Sequence, residues 1–407
     1  MLNGEQWKLL MFRFIRMIAY GETALLLWDY TSNTNINTIY TKTRLSQFFS
    51  LFGEALTSVI VTFAAEKCKR KNLLIASTIL MAIAGLLFLK TDTYWELVLA
   101  TMLSPSGKDV GPFKVIEDAA LAQVTIKENR TFIFMAQNLA SVSGIGLGVI
   151  LGSILKNGHD PSLGIAQYKA LFVSYILCAA YNLFVCTTLT NRIEFVHSKK
   201  AEHDSGSSVT EFGDGYEHES VGIKKRSLIL MLCLFFGLDS ISNGFYSEVW
   251  MKKIMESSTE SVMVVMAISY LVHPVVEAAS VIPSALLTMF AGPIAAIGIS
   301  KAGSGLFTIL IPTAGNTARL STVNLLSELF GSLHNIPRQV YLASVTDGRD
   351  STRTLGIVNI ARTVAISIGP MITNKIVTAS SANFCFYVVG ALEIGFAGAV
   401  YMMFGRL

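Results

Sequence analysis

The sequence predicts an all-α membrane protein with twelve transmembrane helices in two six-helix bundles. Three observations lead there. Of the 407 residues, 52% are hydrophobic and only 15% charged, with a mean hydropathy of +0.52; a soluble chain carries about 25% charged residues. Apolar stretches close to the roughly 20 residues that cross a bilayer recur along almost the whole chain. One polar insert, residues 190–226, divides them into two sets of six. The expected organisation is a first bundle over 1–189, a cytoplasmic linker over 190–226 and a second bundle over 227–407. The linker is rich in Ser, Gly and charges of both signs, so it is expected to be disordered.

The first apolar run, Leu9 to Trp28, is interrupted by Arg13, Arg16 and Glu22 and has no small-x-small cleavage site. It reads as a retained span and not as a signal peptide. The second and third spans fall near 44–65 and 72–89. The fourth, 94–122, is different. Its apolar run, Leu97 to Leu103, is too short to cross alone, so the helix must continue into SPSGKDVGPFKVIEDAALAQ, which carries Lys108, Asp109, Lys114, Glu117 and Asp118. A charge at bilayer depth costs at least about 2.5–3.5 kcal/mol unless it faces a wet cavity or a partner. Ser104-Pro105-Ser106-Gly107 is expected to break or kink this helix, because proline removes a backbone donor and clashes with the preceding turn. Asp109, Phe113 and Glu117 recur at four-residue intervals and share one broad face. Lys114 reaches Glu117 and Asp118 at i+3 and i+4 and reads as the internal partner of this cluster. Asp118, nearer the inner surface, reads as structural.

The fifth span, 131–155, carries Gly144, Gly148 and Gly152, a stripe that lets helices approach backbone to backbone. The sixth falls near 169–189. The second set falls near 227–249, 262–290, 293–313, 318–342, 354–377 and 382–404, with Gly369-Pro370 a plausible kink in the eleventh. No repeat is visible between the halves at the level of residues; the symmetry lies in the hydropathy. The inner loops hold twice as many lysines and arginines as the outer ones when both termini are cytoplasmic, which sets that orientation. The sequon Asn129-Arg130-Thr131 then lies inside and carries no glycan.

Further ionisable residues fall within spans: Glu54 in the second, Asp239 in the seventh, Glu277 in the eighth, Lys301 in the ninth and Glu328 in the tenth. Each is a candidate for a substrate or proton pathway, since lipid exposure is expensive; the competing reading is a buried pair that fixes packing. Glu54 and Asp239 lack a basic neighbour in sequence and are candidates for proton uptake, with Lys301 a counter-ion to one of them. Arg16 and Arg338 are expected to lie nearer the inner surface and to snorkel.

Other classes find no support. The five cysteines and six histidines show no metal spacing. There is no phosphate-cradling loop and no nucleophile elbow. No enzyme activity, cofactor or metal is expected, and a net charge of +4 is too small and scattered for nucleic acid. The expected partners are the lipid bilayer, a small solute and protons, with the chain a monomer.

The turn AAEKCKRKNLL, Ala64 to Leu74, joins the second and third spans. It resembles the loop 2–3 signature of the major facilitator superfamily, G-x-x-x-D-R-x-G-R-R. An ordinary positive-inside turn is the competing account. Glu66, Lys67, Arg70 and Lys71 take the charged gating positions, whereas Thr62 and Lys69 replace the two glycines, which removes the usual basis for close helix approach. The segments FIRMIAYGE, LFGE, SPSGKDVGPFKVIED, GLDSISNGF, IPRQVYLASV and LGIVNIARTVAISIGP resemble a branch of fungal and bacterial permeases with an SPSG-x-x-x-GPF motif in the fourth span. The resemblance implies an alternating-access transporter and leaves its substrate open. The expectation is secondary transport of a small solute at a central site to which Glu54, Asp109, Glu117 and Asp239 bring charge. At least one of Glu54, Glu117 and Asp239 would couple to protons. The alternative from another class is a membrane sensor or scaffold that keeps the fold without transporting. The sequence does not distinguish a plasma from a vacuolar membrane.

Overall fold

The computed structural model describes residues 3–32, 36–65, 68–90, 93–104, 112–156, 168–194, 214–245, 262–314, 316–346 and 351–404. Its first half holds α1 (Gly4–Ser32), α2 (Ile36–Ala64), α3 (Arg70–Lys90), α4 (Tyr94–Leu103), α5 (Pro112–Gln123), α6 (Arg130–Lys156) and α7 (Lys169–Thr188). The second half holds α8 (Asp214–Phe245), α9 (Val262–Ala291), α10 (Pro293–Leu310), α11 (Thr317–Leu333), α12 (Asn335–Val345), α13 (Ser351–Ala379) and α14 (Ala382–Phe404). These make twelve spans, because α4 with α5 and α11 with α12 each form one broken span. All-helical architecture follows from the solvent: in lipid every backbone N–H and C=O must be satisfied within its own segment. Among the described residues, six helices are long and apolar enough by themselves to cross a membrane.

Local chemistry explains where the helices start. Thr93 and Glu96 form a capping box at the head of α4. Asn316 Oδ1 accepts the Arg319 N–H at 2.8 Å and caps α11. Gly292, with φ of 79°, turns the chain between α9 and α10, and Pro293 follows at the first helical position. The tenth span breaks at His334, just before Pro337, a break that hydropathy alone did not indicate. The helix α8 begins at Asp214, so the last part of the predicted linker is helical; residues 195–213 lie outside the described ones.

The halves repeat one packing scheme. Within the first half α1 packs chiefly on α6, α3 on α7 and α2 on α4; within the second α8 packs chiefly on α13, α10 on α14 and α9 on α11. Aromatic pairs seal two of these seams: Phe88 stacks on Phe172 at 5.3 Å between α3 and α7, and Phe235 meets Phe396 at 4.3 Å between α8 and α14. The closest seams are made by glycines. A Cβ on Gly148 of α6 would stand 3.1 Å from Gly21 Cα of α1, and one on Gly244 of α8 would stand 3.1 Å from Gly369 Cα of α13. The predicted stripe on the fifth span is thus a packing surface for α1.

Matching the Gly21–Gly148 contact to Gly244–Gly369 sets a residue register between the halves, and it corrects the expectation that no such repeat exists. Arg16-x4-Gly21 falls on Asp239-x4-Gly244, Glu54-Ala55 on Glu277-Ala278, and Asn138 on Asn359. The broken spans align through Leu121-Ala122-Gln123-Val124-Thr125 and Leu342-Ala343-Ser344-Val345-Thr346, which carries Glu117 onto Arg338.

The two bundles meet along α2 with α13 and along α6 with α9, and the end that carries the linker is closed by side chains. Arg70 Nε donates to Thr352 Oγ1 at 3.0 Å, Arg130 Nη1 to the Ala343 carbonyl at 2.9 Å, and Asn138 Nδ2 to Gln339 Oε1 at 2.7 Å. Arg70 also donates to the Ile193 carbonyl at 3.0 Å, and Glu194 accepts the N–H groups of Arg70 and Lys71, each at 3.0 Å. Lys71 Nζ reaches the carbonyls of Thr187 and Leu189 at the end of α7. Arg70 and Lys71 therefore tie the linker to the seam between bundles; Glu66 and Lys67 lie outside the described residues. Thr62 does not prevent close approach, contrary to the expectation, because the glycine stands on the facing helix: a Cβ on Gly356 of α13 would collide with the Thr62 side chain. Gly356→Ala is expected to weaken this closed seam by about 1–3 kcal/mol, the usual cost of overpacking. Faster thiol labelling of a cysteine placed at Ala343, in a chain without other cysteines, would report it.

Candidate functional site

In the first half, a carboxylate from the broken span meets two guanidiniums from α1. Glu117 lies 2.7 Å from Arg16 Nη2 and 3.2 Å from Arg13 Nη1, and all three side chains are buried. Arg13 and Arg16 sit three residues apart on one face of α1, and α1 lies against both α5 and α6. Arg13 Nε donates to Ser141 Oγ at 2.7 Å, which donates onward to the Gln137 carbonyl. Glu54, buried on α2, falls within electrostatic reach of Arg16. Two of the expectations are corrected here. Lys114 pairs with Asp118 at 3.2 Å, the i+4 partner the spacing offered, while Glu117, the i+3 one, is met by Arg13 and Arg16; spacing along one helix could not see the arginines of another. Arg16 does not snorkel, because Glu117 holds it inside the bundle.

Asp118 also accepts from Gln137 Nε2 at 2.8 Å, so it knits α5 to α6. Asp109 lies outside the described residues, as does the rest of 105–111. The preceding turn is anchored: Ser104, at the end of α4, shares a hydrogen bond with the Tyr175 hydroxyl of α7.

In the second half the central charge is Asp239 on α8. Lys301 Nζ of α10 stands 2.7 Å from Asp239 Oδ1, 3.4 Å from Glu393 Oε1 of α14 and 3.2 Å from Asn243 Oδ1. Arg338 of α12 lies 3.9 Å from Asp239 Oδ2. Its Nη1 donates to His334 Nε2 at 2.9 Å, and His334 Nδ1 meets the Gly331 carbonyl, an arrangement that suits the neutral Nδ1–H tautomer. Lys301 is thus the counter-ion of Asp239, one of the pairings left open by the sequence. Arg338 is buried in this network, where snorkelling was expected. Glu328 accepts from Asn324 on its own helix at 3.0 Å.

The repeat register shows how the two clusters are related. Arg16 pairs with Glu117 in the first half; their counterparts are Asp239 and Arg338. The charges are exchanged at these positions, although Arg338 stands 3.9 Å from Asp239, whose close partner is Lys301 at 2.7 Å. Burying such charges is tolerable only when each has a partner in place, so the exchange must occur at both ends of the pair together.

At the seam of the bundles lies a small cavity of about 30 Å³. Its polar lining is Lys114 and Asp118 from α5, Arg338 and Gln339 from α12, and Asn359 and Arg362 from α13. A smaller cleft of about 10 Å³ lies between α6 and α9, with Glu277 and Ser284 in its wall. Among the described residues no group of three or more His, Cys, Asp or Glu side chains is placed to hold a metal ion.

The structure adds residues that the sequence reading passed over. Glu22 of α1 is buried; its Oε1 accepts from Ser174 Oγ at 2.7 Å, and its Oε2 has no hydrogen-bond partner. In the sequence Glu22 serves only as one of the charges that interrupt the first apolar run. Glu393 and Arg362, in apolar surroundings of the last two spans, carried the same signal as Glu54 and were also overlooked.

The sequence model of the sugar (and other) transporter family matches residues 23–226, half of the chain. The chain belongs to this family. It is 27% identical to the uncharacterized membrane protein YJR124C of Saccharomyces cerevisiae, over 94% of this chain and 90% of that protein. Among solved structures, the human organic anion transporter MFSD10 (TETRAN) aligns with a TM-score of 0.74 at 13% identity, covering 98% of this chain and all of that one. The proton:xylose symporter XylE aligns with a TM-score of 0.73 at 13% identity, over 98% of this chain and 95% of its own. The fucose:proton symporter FucP of E. coli gives 0.64 at 14% identity, over 97% of this chain and 98% of its own. At such identities the likeness establishes the major facilitator fold. A family of membrane transporters, with no enzymatic relative among these, agrees with the expectation of transport and not of catalysis.

Proposed function

We propose that this protein is a secondary active transporter that moves a small solute by alternating access and couples the movement to protons. The reading is supported by one observation: the second limbs of both broken spans, α5 and α12, border one cavity at the seam between bundles, with Lys114 and Asp118 from the first and Arg338 from the second in its wall. Broken helices facing a central cavity at a repeat interface are the common architecture of solute sites in secondary transporters. The two bundles, 1–189 and 227–407, rock about that cavity as a monomer, with the linker 190–226 and both termini in the cytoplasm. In the closed arrangement on the linker side, Arg70, Arg130 and Asn138 hold the bundles together; these contacts part when that side opens.

Glu117 and Asp239, offered by the sequence as proton sites, are engaged by basic partners. Glu54 lies in the field of Arg16. Glu22 suits proton coupling best, because its only hydrogen-bond partner among the described residues is a neutral hydroxyl and one carboxylate oxygen is left for a proton. The xylose and fucose symporters named above are proton-coupled, which supports the assignment by analogy of fold. In vesicles containing the purified protein, a solute that drives net flux is expected to carry protons with it. Glu22→Gln is expected to lower proton-driven accumulation at least tenfold while solute binding persists. Unchanged accumulation in that variant would remove Glu22 from the coupling path, and binding without flux in the unaltered protein would favour the sensor reading.

A further inference from the structure

Two neighbouring side chains of α7 reach in different directions, and together they join α1 to the end of α4. Ser174 Oγ donates to Glu22 Oε1 of α1 at 2.7 Å. The next residue, Tyr175, shares a hydrogen bond through its hydroxyl with Ser104 Oγ. Ser104 closes α4, its own N–H bonded to the carbonyls of Ala100 and Thr101 at 3.1 and 3.2 Å. The tyrosine ring cannot swing by itself. It is 3% exposed and meets Phe88 of α3 edge-on at 5.7 Å, and a Cβ on Gly85 would stand 3.0 Å from its Cδ1. A close-packed ring moves with its backbone, so a shift of α7 relative to α1 is passed to Ser104.

From the end of α4 the contacts continue to the seam between bundles. A Cβ on Gly53 of α2 would collide with the carbonyl of Met102, two residues before Ser104. Backbone contact of this kind leaves the two helices no slack. The helix α2 is also the one that meets α13 of the other bundle, with Thr62 against Gly356. The path therefore runs from Glu22 through Ser174 and Tyr175 to Ser104, and then through α4 and α2 to Thr62. Its first link responds to a proton, because a hydroxyl donates about twice as strongly to a carboxylate as to a neutral group. Tyr175 and Cys178 of α7 lie within electrostatic reach of Glu22. Tyr175 is also within reach of Arg16 on α1, which Glu117 of α5 and Glu54 of α2 influence in turn. On the remaining side α6 meets Gly21 with backbone atoms of Ile145, Gly148 and Val149.

We propose that Tyr175 is a positioning residue that passes the protonation state of Glu22 to the seam between bundles through its bond to Ser104. The inference rests on the reading of Glu22 as the proton site and deepens it by naming the group that connects the proton to the seam. The full-length protein, with its five cysteines replaced by serine and one cysteine placed at Ala343, is reconstituted in vesicles. Thiol labelling from acid to alkaline pH reads the opening of the seam. The infrared carboxyl band that disappears in Glu22→Gln reads the protonation of Glu22. Replacing Cys178 removes the one thiol that could titrate beside it. The labelling rate is expected to change at least fivefold, along the same pH curve as the band, and Glu22→Gln is expected to abolish the change. Tyr175→Phe is expected to leave the Glu22 band titrating while the change in labelling falls below twofold. Ser104→Ala, which serves should Tyr175→Phe fail to fold, is expected to do the same. Ser104→Thr keeps a hydroxyl and is expected to keep the full response, which a purely packing role would not require. A full response in Tyr175→Phe or Ser104→Ala, with none in Glu22→Gln, would overturn the role of Tyr175 and leave Glu22 standing. Loss of the Glu22 band in Tyr175→Phe would make the tyrosine part of the proton site and overturn its positioning role. A response that survives Glu22→Gln, or is absent from the otherwise unaltered chain, would overturn the Glu22 reading and this inference with it.

Discussion

Glu117→Gln is expected to destabilise the folded protein by about 3–5 kcal/mol, the cost of removing one partner from a buried ion pair. The carboxylate neutralises two guanidiniums in a place where neither reaches water: Arg13 lies 3.2 Å away and Arg16 2.7 Å away. Glutamine fits the space and keeps an oxygen acceptor, so volume is not the issue; two uncompensated cations are. Arg16→Met in the same chain removes one of those cations and is expected to recover part of the loss. The contrast is Asp118→Asn, where only one ammonium loses its partner and Asp118 is partly exposed; a change of about 1 kcal/mol or less is expected there. Thermal unfolding of the detergent-solubilised variants checks both, and equal midpoints for the Glu117 and Asp118 variants would contradict the assignment.

Asp239→Asn is the second large effect, and it falls on activity more than on stability. Lys301 keeps Glu393 at 3.4 Å after the change, so the ammonium is not left alone. Arg338 loses its nearest carboxylate and turns toward His334 and Asn335, which it already bonds at 2.9 and 3.2 Å. The tenth span breaks beside His334, and α12 beyond it carries Arg338, Gln339 and Ala343 into the cavity wall and the linker-side seam. Releasing Arg338 is therefore expected to disturb both the solute site and the closing of the bundles. A loss of transport of at least a hundredfold with a folded, monodisperse protein is the expected outcome in vesicle assays. Retained transport would place Asp239 among the packing residues.

Much of the fold was legible from hydropathy, because a lipid environment dictates the length and polarity of every span. The break in the fourth span was legible as well, since Pro105 and the following charges cannot continue an apolar helix. The site was less so. Spacing along one helix suggested Lys114 for Glu117, whereas the partners come from α1, far away in sequence. The repeat was hidden because its central positions exchange sign, Arg16 for Asp239 and Glu117 for Arg338, and an exchange of sign looks like dissimilarity until the glycine contacts set the register. The seam of Thr62 with Gly356 was hidden for a related reason: the small residue needed for close approach had moved to the opposite helix. Glu22 was visible as an interrupted apolar run, but its burial against Ser174 is a property of the packed bundle.

The central claim is that the bundles must part on the linker side for solute to cross, and a reversible lock tests it most directly. Cysteines are placed at Thr62 and Gly356, which face each other across α2 and α13, after the five native cysteines are replaced by serine. Flux of the solute found in the vesicle screen is then compared before oxidation, after it and after reduction. Flux that stops when the disulfide forms and returns when it is reduced is the predicted result; undiminished flux through the cross-linked protein would contradict alternating access at this seam.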